Sequence, residues 1–197
     1  MEKFRSLTPI IALVLISLGI LGVILLLEDS KNKPRVVTDE SGNEFTLGVE
    51  GSVSSTTLRV GDSAPSFVLS SFDGNVVRLE ELYKEKPVII QFWATWCEIC
   101  EQEFPENNKY AQENKDKFHF VAVNWGESTR QVESYIKRKD LDPSAIQFLM
   151  NESSDVVRAY GVRGTPTHAV IDTNGKIVFY NVGYTTVGEF TSVIDSI

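Results

Sequence analysis

The apolar residues of this chain fall into blocks whose spacing changes along its length. The first block, Ile10 to Leu27, runs eighteen residues without a charge. A helix rising about 1.5 Å per residue would carry it roughly 27 Å, close to the ~30 Å hydrocarbon core of a bilayer. Lys3 and Arg5 precede the block and Glu28 and Asp29 follow it, so the positive-inside rule leaves residues 1–9 in the cytoplasm and exports the rest. A cleaved signal peptide would have a shorter apolar region, about 7–15 residues, and a small-residue cleavage site. Leu25-Leu26-Leu27-Glu28-Asp29 offers no such site, which favours an uncleaved single-pass transmembrane anchor at 10–27. Residues 28–57 are polar and rich in Ser, Thr, Gly and Glu, which suits a linker. Within it, Arg35–Thr38 and Phe45–Leu47 flank residues 39–43 and predict a small hairpin.

From Leu58 to Ile197 the pattern is that of one packed domain. Phe67–Leu69 and Val76–Leu79 bracket Asp73-Gly74-Asn75, a hairpin pattern. Pro87–Ala94 is nearly all apolar, as in a strand buried on both faces. A helix is predicted from the cysteines at 97 and 100 to about Asn114, with Pro105 inside it as a kink. Phe118–Asn124 reads as the next inner strand. Ser128–Gln131 has capping-box spacing, and Val132, Tyr135 and Ile136 give the helix behind it an apolar face. A short strand at Gln147–Met150 precedes a short helix capped by Ser153, with Gly161 past its end. Thr167–Asp172 and Lys176–Val182 form a hairpin across Thr173-Asn174-Gly175, and a last helix spans about Thr186–Ile197.

Composition adds limits. With the anchor set aside about 170 residues remain, enough for one domain with a sizeable core. The net charge of −8 argues against nucleic acid or anionic lipid surfaces as partners.

Cysteine occurs twice, and both copies lie in Phe92-Trp93-Ala94-Thr95-Trp96-Cys97-Glu98-Ile99-Cys100. Such a pair closes almost no loop, so it adds little as a staple. Zinc needs about four ligands, and beyond this pair the chain offers only His119 and His168 as further nitrogen or sulfur ligands. The spacing points to reversible dithiol–disulfide chemistry, which needs no bound cofactor or metal; half a zinc site and an incidental pair are the other readings.

The element order is similar to that of a thioredoxin-like domain: a central mixed sheet flanked by helices, here with an N-terminal hairpin extension after the anchor. Five segments carry a more specific resemblance: Gly61–Phe67, Gln91–Cys97, Cys100–Pro105, Val121–Ser128 and Gly164–Thr167. Together they resemble the membrane-anchored thiol–disulfide oxidoreductases of the TlpA/ResA/DsbE type, with the likeness leaning toward the ResA branch, which reduces apocytochrome c outside the cytoplasm. The resemblance implies disulfide-containing exported proteins as substrates. It also implies a transmembrane thiol donor of the CcdA/DsbD type as partner.

The resemblance also assigns roles. Cys97 would be the attacking thiol, favoured as a thiolate at a helix N-terminus. Cys100, one turn in, would resolve the mixed disulfide. Glu103 would be a buried carboxylate on the face of Cys100, exchanging protons with it; the plain alternative is a solvated glutamate beside Glu98, Glu101 and Glu106. Pro166 would be a cis proline packed against the cysteines, and the backbone of Thr165 the edge on which an extended substrate pairs. Trp96 would wall the site or else fill the core. The chain departs from many relatives in carrying Ile99, after Glu98, where they have proline before the second cysteine. Glu98 opposes a thiolate at Cys97 by like charge, which leaves the direction of electron flow open.

Two other functions fit the fold. A peroxiredoxin would place Pro and Thr or Ser at seven and three residues before its reactive cysteine, where this chain has Ile90 and Ala94. A copper-binding thioredoxin-fold chaperone would use His168 as a ligand but space its cysteines one residue wider. His168 otherwise reads as a strand histidine hydrogen-bonded near the site, and His119 as strand packing.

Overall fold

The computed structural model describes residues 15–16, 35–38, 42–50 and 58–197. In chain order the strands and helices are β1 (Val36–Thr38), β2 (Glu44–Thr46), β3 (Gly48–Val49), β4 (Phe67–Ser71), β5 (Val76–Arg78), α1 (Leu79–Glu85), β6 (Val88–Trp93) and α2 (Glu98–Glu113). They continue as β7 (His119–Asn124), α3 (Thr129–Arg138), β8 (Gln147–Met150), α4 (Asp155–Ala159), β9 (Thr167–Ile171), β10 (Ile177–Val182) and α5 (Val187–Ile194).

The apolar run becomes β6, buried along its whole length. It pairs in parallel with β7 and antiparallel with β9, at the middle of a mixed sheet ordered β10-β9-β6-β7-β8-β4-β3, with β5 also on β4. Side chains alternate along a strand. Val88, Ile90 and Phe92 therefore pack on one face with Leu79 of α1 and with Val156 and Val157 of α4. Ile89 and Trp93 point to the other face, against Phe104 of α2, Tyr135 of α3 and Phe190 of α5. Burying each such side chain contributes about 1.5–3 kcal/mol. The result is a thioredoxin-like sheet with helices on both sides.

The N-terminal hairpin forms as β1 and β2, with Val37 opposite Phe45. Three details differ from the sequence reading. Gly48 and Val49, within the stretch read as linker, pair with β4. Gly48 adopts φ 132°, which a side chain rarely tolerates, and a Cβ there would meet the Asp155 carboxylate. The strand pattern at 76–79 ends one residue early because Leu79 opens α1, a helix with no side-chain cap to announce it. At α4 the residue at the N-cap is Ser154, at φ 56°, while the Ser153 hydroxyl donates to Asp155 Oδ1 at 2.6 Å. The helix α2 runs continuously through Pro105.

Among the described residues no helix is long and apolar enough to cross a membrane. The stretch 10–27 lies outside the described residues except for Leu15 and Ile16, which are helical and exposed.

Candidate active site

Between β6 and α2 the chain makes a tight turn in which the Cys97 N–H donates to the Ala94 carbonyl at 3.1 Å. Cys97 is the N-cap of α2, and its sulfur accepts the Cys100 N–H at 3.1 Å. The two cysteines form a disulfide with Cα atoms 5.3 Å apart. Cys97 is 5% exposed and Cys100 is fully buried, so a partner sulfur can reach only the first. Unpaired amides at a helix start favour an anion, which stabilises a Cys97 thiolate once the disulfide opens. Of the two acids in the first turn, Glu98 and Glu101, the second is held by Lys139 of the C-cap of α3.

Trp96 is 69% exposed and Ile99 42%, so Trp96 flanks the disulfide from outside and fills no core. Behind it Trp93 fills that place, packed on Phe104, Tyr135 and Phe148 at 5.0–5.6 Å between ring centroids. The buried Tyr135 hydroxyl has no hydrogen-bond partner among the described residues, and burial, aided by the charge of Glu101, pushes its pKa up to about 12.

The Thr165–Pro166 bond is cis. Phe92 of β6 lies opposite Thr167 of β9, so the antiparallel register carries Pro166 and Thr165 to the end of β6 that leads into Cys97. Pro166 is buried and Thr165 half-buried. The loop is tied down by the Thr167 hydroxyl donating to the Gly164 carbonyl at 2.8 Å and by the Gly183 N–H donating to the Pro166 carbonyl at 2.8 Å.

Glu103 is 2% exposed, which removes the solvated reading. Its Oε2 accepts the Gln91 amide at 3.0 Å and its Oε1 the Thr185 N–H at 2.8 Å. Gln91 in turn accepts the Asn107 amide at 3.3 Å. His168, also fully buried, has its Nδ1 2.9 Å from the Thr185 hydroxyl and its Nε2 3.4 Å from Glu103 Oε2. Its nitrogens thus face Thr185 and Glu103, an arrangement that does not favour a metal ligand.

A second carboxylate was not anticipated. Glu127, in the loop after β7, accepts the Thr95 N–H at 2.7 Å, the Thr95 hydroxyl at 2.5 Å and the Asn124 amide at 2.8 Å. It braces the turn that presents Cys97. Gln91 and Asn124, polar residues in otherwise apolar strands, were the available hints to both networks. His119 lies at the far end of the sheet, half-buried, with Nε2 3.1 Å from Glu85 Oε2 rather than in plain packing.

The Redoxin family model matches residues 59–195. The thiol–disulfide oxidoreductase ResA of Geobacillus thermodenitrificans is 34% identical over 154 residues, covering 78% of this chain and 86% of that protein. The chain belongs to the Redoxin family. Within it the chain is a ResA-type, thioredoxin-like thiol–disulfide oxidoreductase. ResA of Halalkalibacterium halodurans is 34% identical over 140 residues, 69% of this chain and 77% of that one. Among solved structures, one assigned as a thiol:disulfide interchange protein DsbE, from Chlorobium tepidum, superposes with a TM-score of 0.64 at 31% identity, over 71% of this chain and 98% of its own. The exposed lipoprotein thioredoxin of Streptococcus pneumoniae gives 0.58 at 31% identity, over 67% and 99%. For this redoxin the disulfide at the α2 N-terminus is the reacting group.

Proposed function

We propose that this redoxin works outside the cytoplasm on a single-pass anchor at 10–27 and reduces disulfides in exported proteins, with apocytochrome c as the first candidate. The observation that carries the chemical part is the Cys97–Cys100 disulfide at a helix N-terminus, with only Cys97 reachable. The uncharged run at 10–27 and the likeness to proteins named ResA support the location and substrate. In the reduced enzyme the Cys97 thiolate attacks a substrate disulfide, forms a mixed disulfide and expels one substrate thiolate. Glu103 accepts the Cys100 proton, and the Cys100 thiolate then attacks the Cys97 sulfur. That step releases the second substrate thiolate and leaves the disulfide seen here. Two electrons and two protons from a membrane dithiol donor of the CcdA/DsbD type return the enzyme to its starting state. An extended substrate segment pairs with the Thr165 backbone, where Pro166 offers no N–H, and rests against Trp96.

The equilibrium reduction potential of the full-length protein tests the direction. Ile99 and Glu98 occupy the positions between the cysteines, and 30 mV corresponds to about 1.4 kcal/mol for this couple. The expected value lies near or below about −270 mV, the thioredoxin range; a value near about −120 mV would make the protein an oxidant and remove the reductase reading.

A further inference from the structure

Buried on β9 opposite Gln91 is a histidine to which the exchange steps above assign no part. Its tautomer can be read from its neighbours. Asn181 Nδ2 lies 3.1 Å from the Tyr184 carbonyl and 3.0 Å from the Thr185 hydroxyl. A carbonyl only accepts, so the Asn181 amide nitrogen faces both and donates one hydrogen to each. The Thr185 oxygen therefore accepts from Asn181, and its own hydrogen must go elsewhere. His168 Nδ1, at 2.9 Å, takes it. An imidazole that accepts at Nδ1 carries its hydrogen on Nε2 when neutral. That Nε2 lies 3.4 Å from Glu103 Oε2, long for a formed hydrogen bond, and both side chains are buried. Thr185 engages both partners: its N–H donates to Glu103 Oε1 and its hydroxyl sets the His168 tautomer.

We propose that Asn181, Thr185 and His168 form a relay in which His168 is a positioning residue, aiming an N–H at Glu103 and orienting that carboxylate as a proton acceptor. The proposal rests on the reading of Glu103 as the proton acceptor for Cys100. In the resolving step the Cys100 thiol proton moves to Glu103, the Cys100 thiolate bonds to the Cys97 sulfur, and the substrate thiolate leaves. His168 keeps its own proton throughout. An N–H donor aimed at a carboxyl group favours the carboxylate over the acid, which is the form that accepts a proton. Around His168 and Glu103 stand the uncharged Gln91 on β6, Thr185 before α5, and Phe190 of α5, whose ring lies 5.4 Å from the imidazole, with Cys100 one turn before Glu103 on α2. Glu189, in the first turn of α5, accepts the Thr186 N–H at 2.8 Å, which is the main cause that lowers its pKa, and His168 is the smallest of the influences on it.

Ellman's reagent reads the two steps separately in the full-length reduced protein. A first thionitrobenzoate is released as Cys97 is modified, and a second as Cys100 resolves the adduct. His168→Phe should move the midpoint of the second phase against pH upward by about one unit, roughly a tenfold loss of rate below the midpoint. His168→Gln, whose amide nitrogen reaches the Nε2 position, should restore it. Thr185→Val, which keeps the N–H on Glu103 but frees the tautomer, should shift it the same way, and adding it to His168→Phe should change nothing more. In a Glu103→Gln background His168→Phe should have no effect. An unshifted second phase in Thr185→Val, or in a His168→Phe variant with native near-UV circular dichroism, overturns the relay. So does an equal shift in the Glu103→Gln background. Failure of the underlying reading looks different: Glu103→Gln itself would resolve with the wild-type pH profile.

Discussion

A tyrosine behind the dithiol shows how a single atom can sit against the interest of the fold. Tyr135 packs its ring 5.1 Å from Trp93, yet its buried hydroxyl finds no partner among the described residues. An unsatisfied buried hydroxyl costs about 1–3 kcal/mol, while the ring keeps its packing without it. Tyr135→Phe should therefore leave stability unchanged or raise it by about 1 kcal/mol, read as the midpoint of guanidinium unfolding. A clear loss would mean that the hydroxyl is satisfied. At this scale the sequence was most legible where chemistry depends on residue type. The cysteine pair, Glu103 and Pro166 all follow from motif positions. The donors around Glu103 do not, because Gln91, Thr185 and His168 come from three segments that meet only after folding.

At the scale of elements, the turn from β6 into α2 depends on a neighbour 32 residues away in sequence. Thr95 donates twice to Glu127, which Asn124 also holds at the end of the adjoining parallel strand. Glu127→Gln turns an amide hydrogen toward donors and should cost about 1–3 kcal/mol. The same change should slow the first reaction of Cys97, because the turn loses its brace; an unchanged first-phase rate with Ellman's reagent would rule that out. Elements with strong periodicity or capping residues were legible: β6 from its apolar run, α3 from Ser128 and Gln131, β9 and β10 from their Asn-Gly turn. Those missed lacked any such mark. The helix α1 begins after Arg78 with no side-chain cap, and β3 is two residues held by pairing with β4.

At the scale of the whole molecule, the far end of the sheet carries its own pH dependence. Burial, with the Lys86 charge, outweighs Glu85 and holds His119 below its ordinary pKa of 6.5. A folded-state value below the unfolded one means that the unfolded chain binds the proton more readily. The associated stability is complete above 6.5 and is lost as pH falls through the lower folded value. Wild-type protein should lose urea resistance just below pH 6.5, and His119→Gln should lose less over that window; equal losses would assign the effect to other groups.

The unequal exposure of the two sulfurs has a last consequence. Among small thiols and disulfides an open dithiol would collect two wrong partners and stall. Here the second sulfur is fully covered while the first is slightly open. Any adduct therefore forms at one sulfur, and the other stands ready to expel it. The burial makes the exchange self-clearing: a wrong partner is captured for no longer than it takes its neighbour to turn inward and eject it.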